Sequence, residues 1–236
     1  MMIDNTYDFR KDVKPNADPD KDSKKLRSYH KELWSKNLPS GGKFNLSDTK
    51  PNKYLFHKSS LGEFSLSSDG IGVTFRGHKK RMHHIINQIN DEKMESILRI
   101  MCTIGGYIIF PSNKVKIDGK YKLNINGARG WNRYIVDRFD LTLECIRRYY
   151  LNIENPLTET LNRYKDFFLL FKSFRGYVEF FLFQDLVNSD FTKIKFFLPF
   201  DDTFPSKPYP KNIEEYNIYI ENNLEFVKSR GERMKK

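Results

Sequence analysis

The predicted fold depends on residues 54–75, which read YLFHKSSLGEFSLSSDGIGVTF. Short runs rich in aromatic and branched residues occupy positions 54–57, 63–66 and 71–75, and they are separated by Gly62 and by Asp69-Gly70. Asp-Gly between extended runs is typical of a two-residue hairpin turn, because glycine tolerates a positive φ. The pattern therefore predicts a small, mainly antiparallel sheet with a turn at Asp69-Gly70.

The rest of the chain adds further strands and several helices. Residues 103–110 (TIGGYIIF) are typical of a buried strand, and Asp118-Gly119 predicts a turn before a strand at 121–125. Apolar spacing and capping residues predict helices at 24–36, 92–101, 139–150, 157–171, 176–187 and 213–230. We therefore predict one α+β domain over residues 1–236, in which mainly C-terminal helices pack on a sheet from the N-terminal half. A polar arm (residues 1–22) and a frayed basic tail (residues 231–236) complete this organisation.

The composition excludes several classes of protein. The 236 residues are 15% aromatic, which a disordered chain does not reach. No apolar run is long enough to span a membrane and the first residues are charged, so we expect a cytoplasmic protein with no membrane partner and no signal peptide. Cys102 and Cys145 are too few for a disulfide framework or a structural zinc site. We predict neither a metal nor a cofactor.

The net charge of +11 permits nucleic-acid binding without requiring it. The chain has 27 Lys, 14 Arg and 19 Asn but only two Ala, a usage typical of AT-rich genomes whatever the function. The clearest candidate for phosphate contacts is residues 76–84 (RGHKKRMHH), which contain no acid. Its predicted contacts are Arg76, Lys79, Lys80 and Arg81, and an exposed basic loop is the alternative.

His83 has a second possible role in the same stretch. Arg76 and His83 have six residues between them, and this spacing resembles the catalytic motif of a helical ribonuclease superfamily. In that motif an imidazole can move the proton during attack by the ribose 2′-hydroxyl. Gly77 and the neighbouring strands argue against the all-helical fold that this resemblance implies.

The predicted helix at 139–150 places four charged residues on one narrow face. These residues, at about 100° of rotation per position, are Asp140, Glu144, Arg147 and Arg148. One interpretation is a structural network, because acids in the first turn and arginines in the last suit the helix dipole and pair at i+3 and i+4. The other is an exposed stripe lining a cleft, where guanidinium groups bind a phosphate or carboxylate bidentately. In that second case we assign catalytic roles to these four residues and to His83.

Residues 125–133 (INGARGWNR) predict a tight loop just before this helix. Gly127 and Gly130 allow close approach of the backbone to a ligand, and Arg129 and Arg133 supply donors. With Arg138, they form a predicted ligand-binding group that faces the same cleft as Arg147. Arginines that simply face solvent are the alternative.

The aromatic and histidine residues have structural alternatives as well. The runs at 174–183 (FRGYVEFFLF) and 194–200 (IKFFLPF) have the rings of a base-stacking platform, but rings beside so many aliphatic residues favour a core. His30, between Leu26 and Trp34 on its predicted helix, is expected to be a half-buried packing residue.

Six blocks of the sequence resemble a family of uncharacterised bacterial proteins of about this length. The blocks follow the same order over nearly the whole chain: LWSKNLPSGG (33–42), YLFHKSSLGEFSLSSD (54–69), TIGGYIIFPSN (103–113), INGARG (125–130), DRFDLTLECIRRYY (137–150) and GYVEFFLFQDLV (176–187). The resemblance implies one intact domain of bacterial or phage origin, and it supplies no activity or site residue. A role in host–phage conflict follows from the kind of family alone.

Three functions remain after these observations. The favoured one is binding of nucleic acid, RNA rather than DNA, with phosphodiester processing as a further step. The second is a pocket for a small anionic ligand such as a nucleotide, between residues 125–133 and the Arg147 helix. The third is a non-catalytic partner in a larger assembly. An exposed charged stripe favours the first function, a closed pocket the second, and a flat apolar patch the third.

Overall fold

The computed structural model describes residues 2–15, 17–48, 54–72, 82–112, 115–117, 119–131, 138–205 and 208–235. A four-stranded antiparallel sheet has the order β1-β2-β3-β4, and its strands are Ser47–Asp48, Leu55–Ser59, Gly62–Gly70 and Tyr107–Pro111. A separate hairpin pairs β5 (Val115–Ile117) with β6 (Lys120–Lys122).

Ten α-helices lie in the described part of the chain. They are α1 (Pro19–Asp22), α2 (Lys24–Trp34), α3 (His83–Ile86), α4 (Asp91–Met101), α5 (Ile125–Trp131), α6 (Phe139–Tyr150), α7 (Thr158–Arg163), α8 (Lys165–Leu169), α9 (Phe174–Phe181) and α10 (Ile213–Arg233). The sheet comes from the first half of the chain and most helices from the second, which confirms the predicted α+β class. No described helix combines the length and apolarity needed to cross a membrane.

The predicted turn at Asp69-Gly70 is wrong. The turn of the hairpin lies between Ser59 and Gly62, which face each other at the end of β2 and β3, and Gly62 has a φ of 147°. Strand β3 instead continues through Gly70, because Asp69 pairs with Ile108 and Gly70 with Tyr107 on β4. A partner strand about forty residues later therefore outweighs the local turn signal. Residues 73–75 of the predicted third run lie outside the described part.

A cluster of aromatic side chains fills the space between the sheet and the helices. Phe64 on β3 packs against Phe167, with ring centroids 5.6 Å apart, and Phe171 packs against Phe180 at 5.1 Å. The rings of Phe180, Phe181 and Phe183 are buried. The rings of residues 174–183 therefore belong to the core and are not a base-stacking platform.

Most predicted helices have different ends in the structure, and three of the differences are informative. The helix predicted at 157–171 is interrupted at Tyr164, and the one predicted at 176–187 ends at Phe181 because Leu182 adopts a left-handed φ of 58°. Helix α10 extends to Arg233, and the Met234 side chain is buried beyond it, so packing continues into the segment predicted to fray. The predicted polar arm also contributes to the core, through Ile3 and Phe9.

Helix α10 is attached to the sheet by a buried arginine. Arg230, which is fully buried, donates hydrogen bonds to the carbonyl oxygens of Gly105 (2.8 Å), Tyr107 (2.7 Å) and Phe181 (3.1 Å). Burial lowers the pKa of Arg230 to about 9, so its guanidinium group is still charged at neutral pH. At Gly105 the helix comes so close that an added Cβ would lie 2.1 Å from the Val227 carbonyl oxygen.

Candidate functional site

Helix α6 begins with a buried ion pair between Arg138 and Asp140. Arg138 donates from Nε (2.8 Å) and Nη2 (2.6 Å) to the Asp140 carboxylate, and from Nη1 to the carbonyl of Pro208 (3.1 Å). Asp140 also accepts the backbone N–H of Phe197 at 2.8 Å. Burial opposes the charge on Arg138, but attraction to Asp140 outweighs it and raises the pKa of Arg138. The contacts of this pair anchor the segment after residue 196 on α6.

One turn later, Glu144 forms ion pairs with two arginines. Its carboxylate accepts Nε (2.7 Å) and Nη2 (2.8 Å) of Arg147, and also Nε of Arg148 (2.7 Å). Glu144 is buried, whereas 19% of the Arg147 side chain and 12% of the Arg148 side chain remain exposed. The hydrogen bonds that Arg147 donates to Glu144 raise the pKa of Arg147. The predicted exposed stripe is therefore wrong for Asp140 and Glu144, since the segment after residue 196 covers the start of α6, and only its arginine end reaches solvent.

A row of aromatic rings lies beside Arg148, the second of these arginines. The guanidinium carbon of Arg148 is 5.0 Å from the Phe204 ring centroid and 5.8 Å from that of Phe200. Phe196 and Phe200 are 4.5 Å apart, Phe200 and Phe204 are 5.3 Å apart, and all three rings are partly exposed. We call Arg147, Arg148 and these three rings the arginine–phenylalanine face.

The other predicted ligand-binding arginine of this region, Arg129, lies elsewhere. It is buried and donates to Asp69 on β3 (2.6 Å) and to Thr142 Oγ1 on α6 (2.9 Å). Thr142 and Glu144 are about 160° apart around α6, so Arg129 contacts the opposite side of the helix from the arginine–phenylalanine face. Arg129 and Arg147 therefore do not form the predicted shared cleft. Arg133 lies outside the described residues.

The predicted loop at 125–133 is helical over Ile125–Trp131. The Asn124 side chain accepts the backbone N–H of Gly127 (2.8 Å), which satisfies a free donor in the first turn of α5. Ile125 and Ala128 are buried on one side of α5. Burial of these residues compensates for the low helix propensity of the glycines.

The basic stretch is described only at its end. Arg76, Lys79, Lys80 and Arg81 lie outside the described residues, whereas His83 is exposed at the start of α3. The ring contact described for His83 is with His84 at 5.7 Å, not with α6. Within the described ranges, no group of three or more His, Cys, Asp or Glu side chains is arranged to hold a metal ion.

A small polar pocket, which no sequence signal predicts, lies between α1, α2 and β3. It is lined by Asp20, Arg27, His30 and Ser68 together with leucines, it is partly open to solvent, and it has room for about one water molecule. Burial raises the pKa of Asp20 well above its usual value, and the charges of Asp69 and Asp18 add to this effect. Such a pocket is far too small for a nucleotide.

His30 in this pocket cannot act as a base toward Ser68. Its Nδ1 accepts the indole N–H of Trp34 (3.1 Å), and an indole can only donate. The imidazole proton is therefore on Nε2, which donates to Ser68 Oγ at 3.0 Å. Burial lowers the pKa of His30 to about 3, so the ring is neutral at pH 7. His30 is thus a fully buried structural residue, more enclosed than predicted.

The comparisons with known proteins show a family without an assigned activity. The model of a family of unknown function (DUF6994) matches residues 3–234. No curated protein and no solved structure shows significant similarity to the chain.

Proposed function

The chain therefore belongs to a family of unknown function, DUF6994, and we propose from its own residues that it binds single-stranded nucleic acid, RNA rather than DNA, on the arginine–phenylalanine face. The observation that carries the proposal is the contact between the partly exposed guanidinium group of Arg148 and the partly exposed rings of Phe200 and Phe204. Unpaired bases stack on aromatic side chains and arginine planes, and guanidinium forks bind phosphate oxygens.

The distribution of positive charge supports the same proposal. Residues 73–84 and 113–137 hold ten Lys or Arg against two acids, a net +8 of the chain's +11. The buried cations of the described part are arginines with internal acceptors, namely Arg129, Arg138 and Arg230. Among the side chains that the structure describes, no lysine is buried. Arg129, one of the ten, is already neutralised by Asp69, and we propose that the rest of the surplus neutralises phosphates.

A fluorescence-anisotropy titration with a labelled single-stranded RNA tests the proposal. The substitution Phe204→Leu removes one ring but keeps an apolar side chain. We expect it to weaken binding about 5- to 150-fold, the range for one stacked base. Phe191→Leu is the matched control, because Phe191 also packs under an arginine, Arg175, at 4.5 Å, but outside this face. Absence of wild-type binding at low ionic strength, or an equal loss in both variants, would contradict the proposal.

The predicted contacts at Lys79, Lys80 and Arg81 are tested separately by salt dependence. Replacing the three by Ala removes up to about three phosphate contacts, so the plot of log affinity against log salt becomes less steep. An unchanged slope would exclude this stretch from the interface. A double-stranded RNA of the same sequence is expected to bind more weakly, because its bases are not free to stack on the rings.

A further inference from the structure

We infer that the Asp202 carboxylate occupies a phosphate subsite on Arg148 and must be displaced when a nucleotide binds. This inference rests on the proposed function and names the part of the face that contacts the phosphate. Arg148 donates from Nη2 to the Asp202 carboxylate and, at 3.2 Å, to the Asp202 carbonyl oxygen. Carboxylates and phosphates accept hydrogen bonds from guanidinium groups in the same charge-assisted way.

The two acids on Arg148 differ in how firmly they are placed. Glu144 is buried and accepts from Nε, so it fixes the orientation of the guanidinium group from inside. Asp202 binds the same group at Nη2, and 86% of its side chain is exposed. Exposed ion pairs contribute little to stability, because water and salt compete with them. An incoming anion can therefore replace Asp202 without disturbing Glu144.

The loop that carries Asp202 also supplies the rings of the face. Phe200 and Phe204 lie two residues on either side of it, and both rings are next to Arg148. A phosphate bound at Nη2 is consequently beside the surface on which a base would stack, as the parts of one nucleotide require. Asp202 has a left-handed φ of 70°, a conformation that Asp and Asn tolerate better than most residues.

Charge balance at the subsite supports the same assignment. Glu144 and Asp202 together neutralise Arg147 and Arg148, the two arginines at the exposed end of α6. Removing the Asp202 charge leaves a surplus positive charge at the place where the phosphate is expected. The subsite should then attract anions more strongly.

The test compares Asp202→Asn with Asp201→Asn in RNA binding. Both variants remove one exposed negative charge from the same loop, but the Asp201 carboxylate accepts the backbone N–H of Thr203 (3.2 Å). Asn tolerates the φ of residue 202, so the loop is expected to keep its conformation. We expect Asp202→Asn to bind single-stranded RNA about three- to fivefold more tightly than Asp201→Asn, the factor given by one exposed ion pair.

A second arm uses inorganic phosphate and measures the rise in Tm that it produces. We expect a larger rise for Asp202→Asn than for Asp201→Asn, because ligand binding stabilises the folded state. If wild type and Asp201→Asn bind RNA and Asp202→Asn binds no more tightly, the inference is wrong and the proposed function stands. If none of the three binds RNA, the proposed function is wrong. The phosphate arm then decides the subsite alone, and equal rises in Tm would overturn it.

Discussion

Glu144 is shared between two arginines, which predicts that single and double substitutions have very different effects on stability. Arg147→Met and Arg148→Met each remove a charged donor while keeping an apolar stem of similar length. After either change, the buried Glu144 carboxylate keeps the other arginine as a hydrogen-bond partner. Only the double variant removes both guanidinium groups that neutralise it.

The magnitudes follow from this redundancy. Each single substitution removes a partly exposed ion pair, so we expect it to lower the free energy of unfolding by about 1 kcal/mol. The double substitution leaves a buried carboxylate without an arginine, a change that typically costs ~3–5 kcal/mol. The double variant should therefore exceed the sum of the two singles by about 1–3 kcal/mol, in the range of coupled neighbours.

Urea unfolding followed by tryptophan fluorescence measures all three free energies. The control is Arg175→Met, because the Arg175–Glu179 pair is exposed on both sides and should contribute less than about 0.5 kcal/mol. Additive single substitutions would refute the sharing of Glu144. A loss of more than about 3 kcal/mol in the Arg147 variant alone would refute it as well, since that is the cost of an unpaired buried charge. A variant with unchanged stability and lost RNA binding would identify its arginine as a ligand contact.

Three further predictions concern groups away from this face. Asp20→Asn should stabilise the protein at pH 7 but not near pH 4. Burial raises the pKa of Asp20 in the folded state, so the wild-type protein loses stability as the pH rises above the unfolded-state pKa of this carboxyl group. A stability difference in urea unfolding that does not depend on pH would contradict this prediction. His30, whose pKa burial lowers to about 3, contributes stability above pH 6.5 that is lost as pH falls, at about 1.4 kcal/mol per pH unit. The imidazole NMR signals of His30 should therefore remain those of the neutral ring down to pH 4. Protonation of the ring near pH 6.5 would refute this prediction. Gly105→Ala should destabilise the protein by ~1–3 kcal/mol in thermal or urea unfolding, because the new Cβ would be 2.1 Å from the Val227 carbonyl oxygen. Gly231→Ala is the control, since the nearest atoms to its new Cβ are 3.5 Å away. Equal effects of the two substitutions would refute the steric cause.

Local sequence signals predicted α6 correctly but not its surroundings. Both of its ends, Phe139 and Tyr150, agree with the prediction, because a long periodic pattern is contained within the helix itself. Two glycines in residues 125–133 lower the helix propensity and predict a loop, yet burial of Ile125 and Ala128 favours the helix. Propensity alone cannot include this tertiary packing energy.

In the candidate site, too, contacts within one helix could be predicted from the sequence, whereas contacts between distant residues could not. Pairing of Glu144 with Arg147 and Arg148 follows from helical spacing and could be predicted. The contacts of Arg148 with Asp202 and Phe204 join residues more than fifty positions apart, and no periodic pattern connects them. The rings of Phe196 and Phe200 are evident in the sequence, but their partial exposure depends on how the segment after α9 packs on α6.

The attachment of α10 has a consequence for the order in which the molecule folds. Arg230 bonds to carbonyls 123 and 125 residues earlier, and Asn5 bonds to Glu232 across 227 positions. Contacts at such separations require closure of very large loops, which makes them slow to form. On the ribosome, the carbonyls of Gly105 and Tyr107 must wait for more than 120 further residues to be synthesised before Arg230 can reach them. The apolar surface that α10 covers around residues 104–107 thus stays exposed until that helix docks, and such exposure favours aggregation.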